Sequence, residues 1–223
     1  RTPPVLVTDG SEYGGWTYDA SQLTSDSVVY SVGLGEDTSW DEGILKRFGL
    51  NVWGFDPTPK SIEYVRKNNK LGQNFHFTAE ALGIEKGVRT FTKPKNPNHV
   101  SMREGRHDGL GETVEVHTNT LQNWMDKFGH SHIDILKIDI EGSEYDVLED
   151  WIKKEWFPMD QLLVEFHQRF FENTDRHFKV IAGLKESGFK IIHDKNNNGQ
   201  EIAFRKLQKR ASDFVQQAKM IQS

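Results

Sequence analysis

The chain has 223 residues, 35% of them hydrophobic and 11% aromatic, with no cysteine and a formal net charge of −5. That length supports one sizeable core, and the acidic balance gives no reason to expect a nucleic-acid partner, which favours a basic face. The lack of thiols excludes cysteine nucleophiles and Cys-ligated zinc, and without a run of about 18 apolar residues no segment reads as a membrane span.

The first 27 residues read as an N-terminal extension. They hold Tyr13-Gly-Gly-Trp16, an aromatic pair that either folds over a ligand ring or joins the core. Val28–Val32 is a buried strand running into the turn Gly33-Leu-Gly-Glu-Asp-Thr38. Ser39-Trp-Asp-Glu42 has the capping-box pattern, with Ser39 as N-cap and Glu42 three residues on. The helix it opens carries Ile44, Leu45 and Phe48 at helical spacing and stops near Gly49. Val52–Phe55 is a second strand and 59–68 a second helix. Asn74–Phe77 is a short strand, Val88–Thr92 an extra one, and Thr113–His117 alternates like an edge or half-exposed strand.

Between the last two lies 93–111, with two prolines and three glycines. A stretch this long is an active-site lid, a substrate loop or a solvated excursion. Leu121–Phe128 is helical, Ile133–Ile138 a buried strand, Ser143–Trp151 a helix, Gln161–Phe166 a strand and Arg176–Ser187 a helix. Phe189–His193 and Glu201–Arg205 bracket the Asn196-Asn-Asn-Gly199 turn as a hairpin, and 206–223 reads as a helical tail. The pattern predicts one α/β domain with a catalytic core over 28–205. Its Rossmann-like sheet is mostly parallel, has helices on both faces and ends in an antiparallel hairpin.

In such a sheet ligands bind beyond the carboxyl ends of the strands. Gly33 and Gly35 end the first strand, and Asp56, 21 residues after Gly35, ends the second. A carboxylate there suits two ribose hydroxyls, so the pairing signals an adenosine-containing cofactor, with Pro57 and Thr58 beside it. The other reading of Asp56 is a cap for the helix at Pro59. Thr38 stands where a dinucleotide site wants a third glycine, and Glu36 and Asp37 would repel a diphosphate. Acids suit the cationic methionine end of S-adenosylmethionine better, although they also sit well near a helix N-terminus.

At the next two strand ends, Asp139 and Glu141 are two residues apart, as are Glu165 and His167. Adjacent parallel strands would bring these pairs to one rim. There they either hold a divalent metal that lowers an alcohol's pKa, or supply Asp139 or His167 as a general base. In the structural alternative, Glu141 caps the helix at Ser143 and Glu165 pairs with Lys137. No metal is assigned. The other histidines show no ligand spacing, and the six tryptophans hint at carbohydrate contact.

Ile133-Asp-Ile-Leu-Lys-Ile-Asp-Ile-Glu-Gly-Ser-Glu144 closely resembles the signature of the FkbM family of methyltransferases, with Thr118-Asn-Thr-Leu121, Gly33, Gly35 and Asp56 where that family has them. Val29–Tyr64, with Ser39-Trp-Asp-Glu42 and Phe55-Asp-Pro-Thr-Pro-Lys60, looks like its eukaryotic methyltransferase-like branch, and the resemblance covers roughly 14–205. It implies the seven-stranded class I sheet, with Gly33, Gly35 and Asp56 lining S-adenosylmethionine. Glu80, Ala81 and Leu82 would flank the adenine, and Asp139 would lie between cofactor and acceptor. It also implies O-methylation, including that of sugar or glycan hydroxyls, which would set the chain in a Golgi or secretory lumen. The rival readings are a methyltransferase for a protein or small-molecule oxygen or nitrogen, an NAD(P)-dependent reductase, and a noncatalytic cofactor-binding module.

Overall fold

The computed structural model describes residues 3–68, 70–92, 103–104, 113–170 and 174–207. The chain opens with an antiparallel hairpin, β1 (Leu6–Asp9) and β2 (Trp16–Asp19). Strand and helix then alternate through β3 (Val28–Val32), α1 (Ser39–Phe48), β4 (Asn51–Phe55), α2 (Pro59–Lys67) and β5 (Phe75–Thr78). Four strands follow in a small sheet of their own, β6 (Ala81–Leu82), β7 (Gly87–Thr92), β8 (Arg103–Glu104) and β9 (Thr113–Asn119), ordered β6-β9-β7-β8. The chain continues with α3 (Leu121–Phe128), β10 (Ile133–Ile138), α4 (Glu144–Lys153), β11 (Met159–Glu165), α5 (Asp175–Glu186), β12 (Phe189–Lys195) and β13 (Glu201–Lys206).

The main sheet has seven strands in the order β12-β13-β11-β10-β3-β4-β5. Of these, β13 alone runs against its neighbours. This is the expected Rossmann-like sheet with its closing hairpin. Period-two alternation gives it two apolar faces. Tyr30, Val32, Leu136, Ile138, Leu162 and Val164 pack with α3, α4 and α5 residues such as Trp124, Leu148 and Leu184. Val29, Ile135 and Leu163 point the other way, onto Trp40 and Ile44 of α1 and Trp16 and Tyr18 of β2. Trp16, Trp40, Trp124 and Trp151 are buried, and Trp53 and Trp156 are half-buried against the core, so all six take part in packing.

One local expectation is corrected. Ser39 does not cap α1. Thr38 is the N-cap, and the Ser39 hydroxyl accepts the Ser11 N–H (2.7 Å) while Asp37 Oδ1 takes the Ser39 N–H (2.8 Å). The serine has been recruited to hold the N-terminal hairpin, and the aspartate two residues earlier serves the helix end instead. The expected edge or half-exposed strand at 113–117 is found: among the described residues this stretch pairs with β7, and only Thr118 and Asn119 of β9 pair with β6 on the other side. Val114 and Val116 pack with Ala81 in a small separate cluster, in keeping with the half-exposed alternation. Within 93–111, Arg103–Glu104 form β8 against β7. The rest of that stretch, and the expected tail helix beyond residue 207, lie outside the described residues.

The strand order reverses between β3 and β10, which sets the crevice at their carboxyl ends. The Asp139 N–H donates to the Val32 carbonyl and the Gly33 N–H to the Phe55 carbonyl, both at 2.9 Å. Gly33 has φ +80°, and a Cβ there would lie 1.7 Å from the Asp139 carbonyl oxygen. Gly33→Ala must therefore push two central strands apart. We expect a loss of about 3 kcal/mol or more, read as a fall in the urea midpoint of more than about 1 M. An unchanged midpoint would show that the strand ends yield freely.

Candidate active site

The carboxyl ends of the central strands open onto a cavity of about 700 Å³, within the roughly 300–1,000 Å³ range of small-molecule sites. Its walls are the turn from Gly33 to Asp37, then Lys137, Asp139, Glu141 and Glu165. Glu12, Tyr13, Gly14 and Trp16 of the N-terminal hairpin and Lys195, Asn196, Gln200 and Glu201 of the β12–β13 hairpin complete it. A hollow of about 60 Å³ adjoins it, sharing Gly33, Asp56, Asp139 and Glu141 and closed by Phe55, Pro57, Glu80, Ala81, Leu82 and Ile140. All the sequence-predicted positions except His167 and Thr58 therefore line one of two connected spaces. Those two stand directly behind the lining.

The turn is built on a buried carboxylate. Asp56 Oδ2 accepts the N–H groups of Leu34 (2.9 Å) and Gly35 (3.0 Å), and Oδ1 accepts the N–H (2.8 Å) and hydroxyl (2.6 Å) of Thr58. Four donors fill the lone pairs of a carboxylate. In this arrangement Asp56 ties the glycine turn to the start of α2, where Thr58 caps by accepting the Ser61 N–H. Gly35, at φ +57°, would direct a Cβ into space with nothing within 4 Å, so the turn leaves the cavity open at that point. Glu36 is exposed at its edge. In the hollow, Glu80 Oε2 accepts from Trp124 Nε1 (2.6 Å) and Asn119 Nδ2 (3.2 Å), which fixes the carboxylate beside Ala81 and Leu82.

The other end of the cavity is a charged cluster around His167, which is only 1% exposed. Its Nε2 lies 3.6 Å from Asp139 Oδ1, 3.5 Å from Glu141 Oε2 and 3.7 Å from Glu165 Oε1. The fully buried Glu144 stands behind it. Oε1 of Glu144 accepts the His167 N–H (2.7 Å) and approaches Nδ1 (3.2 Å), and Oε2 accepts the Gly142 N–H (2.7 Å). Glu141 adopts φ +53°, uncommon for a residue with a side chain, and this turns its carboxylate back toward His167. It does not cap α4; Glu144 holds the backbone there instead. Nor does Glu165 pair with Lys137: Glu165 accepts from Gln200 Nε2 (2.9 Å), and Lys137 Nζ donates to the Gly33 carbonyl (2.5 Å).

Burial alone would lower the His167 pKa, but the hydrogen bond to Glu144 and the charges of Glu144, Asp139 and Glu141 outweigh it and push it up to about 9. Burial pushes Asp139 up to about 7 against the pull of Lys137, with Glu165 adding to the rise and His167 opposing it. The cluster thus favours the charged form of the imidazole and disfavours the charged form of Asp139.

The model of the methyltransferase FkbM domain matches residues 35–191, well over half of the chain. The chain belongs to the FkbM methyltransferase family. It is a methyltransferase domain on the sheet of the S-adenosylmethionine-dependent class. It is 25% identical over 175 residues to human "Probable methyltransferase-like protein 24", covering 74% of this chain and 42% of that protein. The rat protein of the same name is 26% identical over 180 residues, 76% of this chain and 43% of its own length. The chain thus spans less than half the length of these relatives. The crystal structure of methyltransferase FkbM from Methylobacillus flagellatus superposes with a TM-score of 0.50 at 11% identity, over 83% of this chain and 45% of that one, and so shares the fold.

The sequence reading of this FkbM domain passed over Glu144, although it closes the 133–144 signature, because its partner His167 lies 23 residues on. It also missed Lys137 as a wall of the cavity. Lys137 is buried beneath the Trp16 ring, with Nζ 5.8 Å from its centroid. Facing it, Asp41 on α1 is 1% exposed, and burial pushes its pKa up to about 6 even though Lys137 pulls it down. A carboxyl raised on folding binds its proton more tightly in the folded chain. Its contribution to stability is present below about pH 4 and is lost as pH rises through 6. Asp41→Asn should remove that fall. The variant should match the parent at pH 4 and exceed it at pH 7.5 by on the order of 1–3 kcal/mol, measured by urea unfolding at both pH values.

Proposed function

We propose that this FkbM domain transfers the methyl group of S-adenosylmethionine to a hydroxyl oxygen of a sugar or glycan. The observation that carries the reading is the pair of adjoining spaces at the strand-order reversal, one with largely apolar walls and one lined by acids, with the Asp139 carboxyl bordering both. The hollow between Phe55, Pro57, Ala81, Leu82 and Ile140 suits an adenine, with the fixed Glu80 carboxylate at its rim. The acids around the larger cavity suit a sulfonium and an ammonium better than any anion, and Lys137 is placed to meet a carboxylate. The open turn at Gly35 lets a ligand approach the backbone. Asp56 holds that turn in shape, and a ribose would have to share its oxygens with the groups it already accepts from.

The sulfonium supplies an activated methyl group and a good leaving group. What remains for the chain is to bring the oxygen into line and to take its proton. Asp139 borders both spaces, and its raised pKa suits it to accept a proton near neutrality. His167, cationic and buried, holds Asp139, Glu141 and Glu165 together and is not itself the base. Tyr13, 88% exposed at the cavity mouth, offers an aromatic face to a sugar ring.

Calorimetry with S-adenosylmethionine should give micromolar binding, about −8 kcal/mol. Asp139→Asn should bind the donor within a few-fold of the parent yet lose about 100-fold or more in turnover on a glycan hydroxyl. Absence of donor binding by the folded chain would overturn the reading. Transfer confined to amine acceptors would overturn its hydroxyl part.

A further inference from the structure

The three carboxylate oxygens facing His167 Nε2 stand 3.5–3.7 Å from it. Those separations exceed the roughly 2.7–3.2 Å of a hydrogen bond from nitrogen to oxygen. They match atoms that share a cation: two donors each about 2.0–2.2 Å from one ion, at tetrahedral to trigonal angles, lie roughly 3.3–3.8 Å apart. One donor atom each from Asp139, Glu141 and His167 falls within 4.8 Å of the others.

The histidine is also set as a ligand would be. Glu144, with none of its side chain exposed, takes the Nδ1 side and the His167 N–H, so Nε2 is the nitrogen turned to the carboxylates. A carboxylate behind an imidazole fixes ring orientation and tautomer in this way at metal centres. Because His167 is 1% exposed, the cluster is not a chance gathering of surface acids. Among the described residues, competing positive charge comes from Arg169, 3.7 Å from Glu141 Oε2 on the exposed side, and from Lys137 acting on Asp139.

We infer that Asp139, Glu141 and His167 form a binding site for one divalent first-row cation, with Glu165 beside it. One imidazole among carboxylates favours Mn²⁺, Fe²⁺ or Zn²⁺. Ca²⁺, which takes more oxygens at longer distances, fits less well. The binding stands on this geometry alone. Its use rests on the proposed function, in which an ion at this rim would hold the acceptor hydroxyl and make its proton more acidic.

The test is a titration of the full chain, first stripped with a chelator, with Mn²⁺ as the probe and free ion read by electron paramagnetic resonance. One ion per chain is expected, with Kd below about 100 μM. Glu141→Gln should weaken it by about tenfold or more, whereas Glu63→Gln on the exposed face of α2 should leave it unchanged. His167→Gln should act likewise, and Glu141→Gln carries the test if the buried substitution prevents folding. No binding by the parent up to about 1 mM, or binding that Glu141→Gln does not alter, overturns the site. S-adenosylmethionine calorimetry on the metal-free chain separates the two readings. Donor binding without Mn²⁺ binding removes the ion and leaves the methyltransfer proposal. Glu141-dependent Mn²⁺ binding without donor binding supports the ion site and overturns the donor reading.

Discussion

The Asp139 carbonyl oxygen occupies the place a side chain on residue 33 would need. That contact brings the carboxyl ends of β3 and β10 together at the point where the strand order reverses, and from there the two following segments diverge. The Gly33–Asp37 turn leads to α1 and the Asp139–Ser143 turn to α4, and the crevice lies between them. Each turn is then secured by one buried carboxylate that accepts at least two backbone N–H groups. Asp56 takes those of Leu34 and Gly35, and Glu144 those of Gly142 and His167. Hydrogen bonds to a charged acceptor are stronger and shorter than neutral ones, and donors fixed at both ends leave little freedom to the loops. The site is thus shaped by the strands and held by acids that do not themselves have to react.

The charge of the cavity follows from the same design. Carboxylates from six separate segments line one space, with Lys137 set among them from below and Lys195 paired to Glu201 at the rim. Lys137 bonds the Gly33 carbonyl and lies beneath Trp16, close to the buried Asp41. Such a space repels phosphates and attracts cations, which is why the acidic turn speaks against a dinucleotide. At the His167 end the acids are closer together, and a cation is needed between them. A proton on the imidazole can play that part at neutral pH, and a metal ion would play it with better geometry.

Much of this could be read from the amino-acid sequence wherever the determinant is local. The apolar runs at 28–32, 133–138 and 161–166, the glycines after the first, and the Asn-rich turn before 201 all act through neighbouring residues, and each of these elements lies within two or three residues of its expected place. What could not be read depends on distant partners. The alternation of 113–119 reveals a half-buried strand but not which sheet it joins. Ser39 has the local look of a cap, yet the Ser11 N–H, 28 residues away, claims its hydroxyl. Asp56 is visible by position and by its pairing with Gly35, but that its carboxylate takes the backbone N–H groups of Leu34 and Gly35, and so holds the turn, carries no side-chain signal. The hairpin of β1 and β2 was legible only as an extension, since its strands are four residues long and β1 has no buried face of its own.

That hairpin decides which part of the site is rigid. Asp19, 2% exposed, accepts the Val5 and Ser21 N–H groups and pairs with Arg205 on β13, while its own backbone exchanges two hydrogen bonds with the Gln161 side chain on β11. The base of the hairpin is therefore fastened to the same strands that carry Glu165 and Glu201. Among the described residues its tip, with Tyr13, is held by exposed bonds from Ser11 to Ser39 and Asp37, and exposed polar contacts contribute little. The inner end of the crevice is thus set by backbone and buried carboxylates, whereas its mouth is set by an exposed tip. Even there the tip and the turn are coupled, because a Cβ on Gly14 would lie 2.5 Å from Asp37 Cγ, so any side chain at residue 14 has to displace a wall of the cavity.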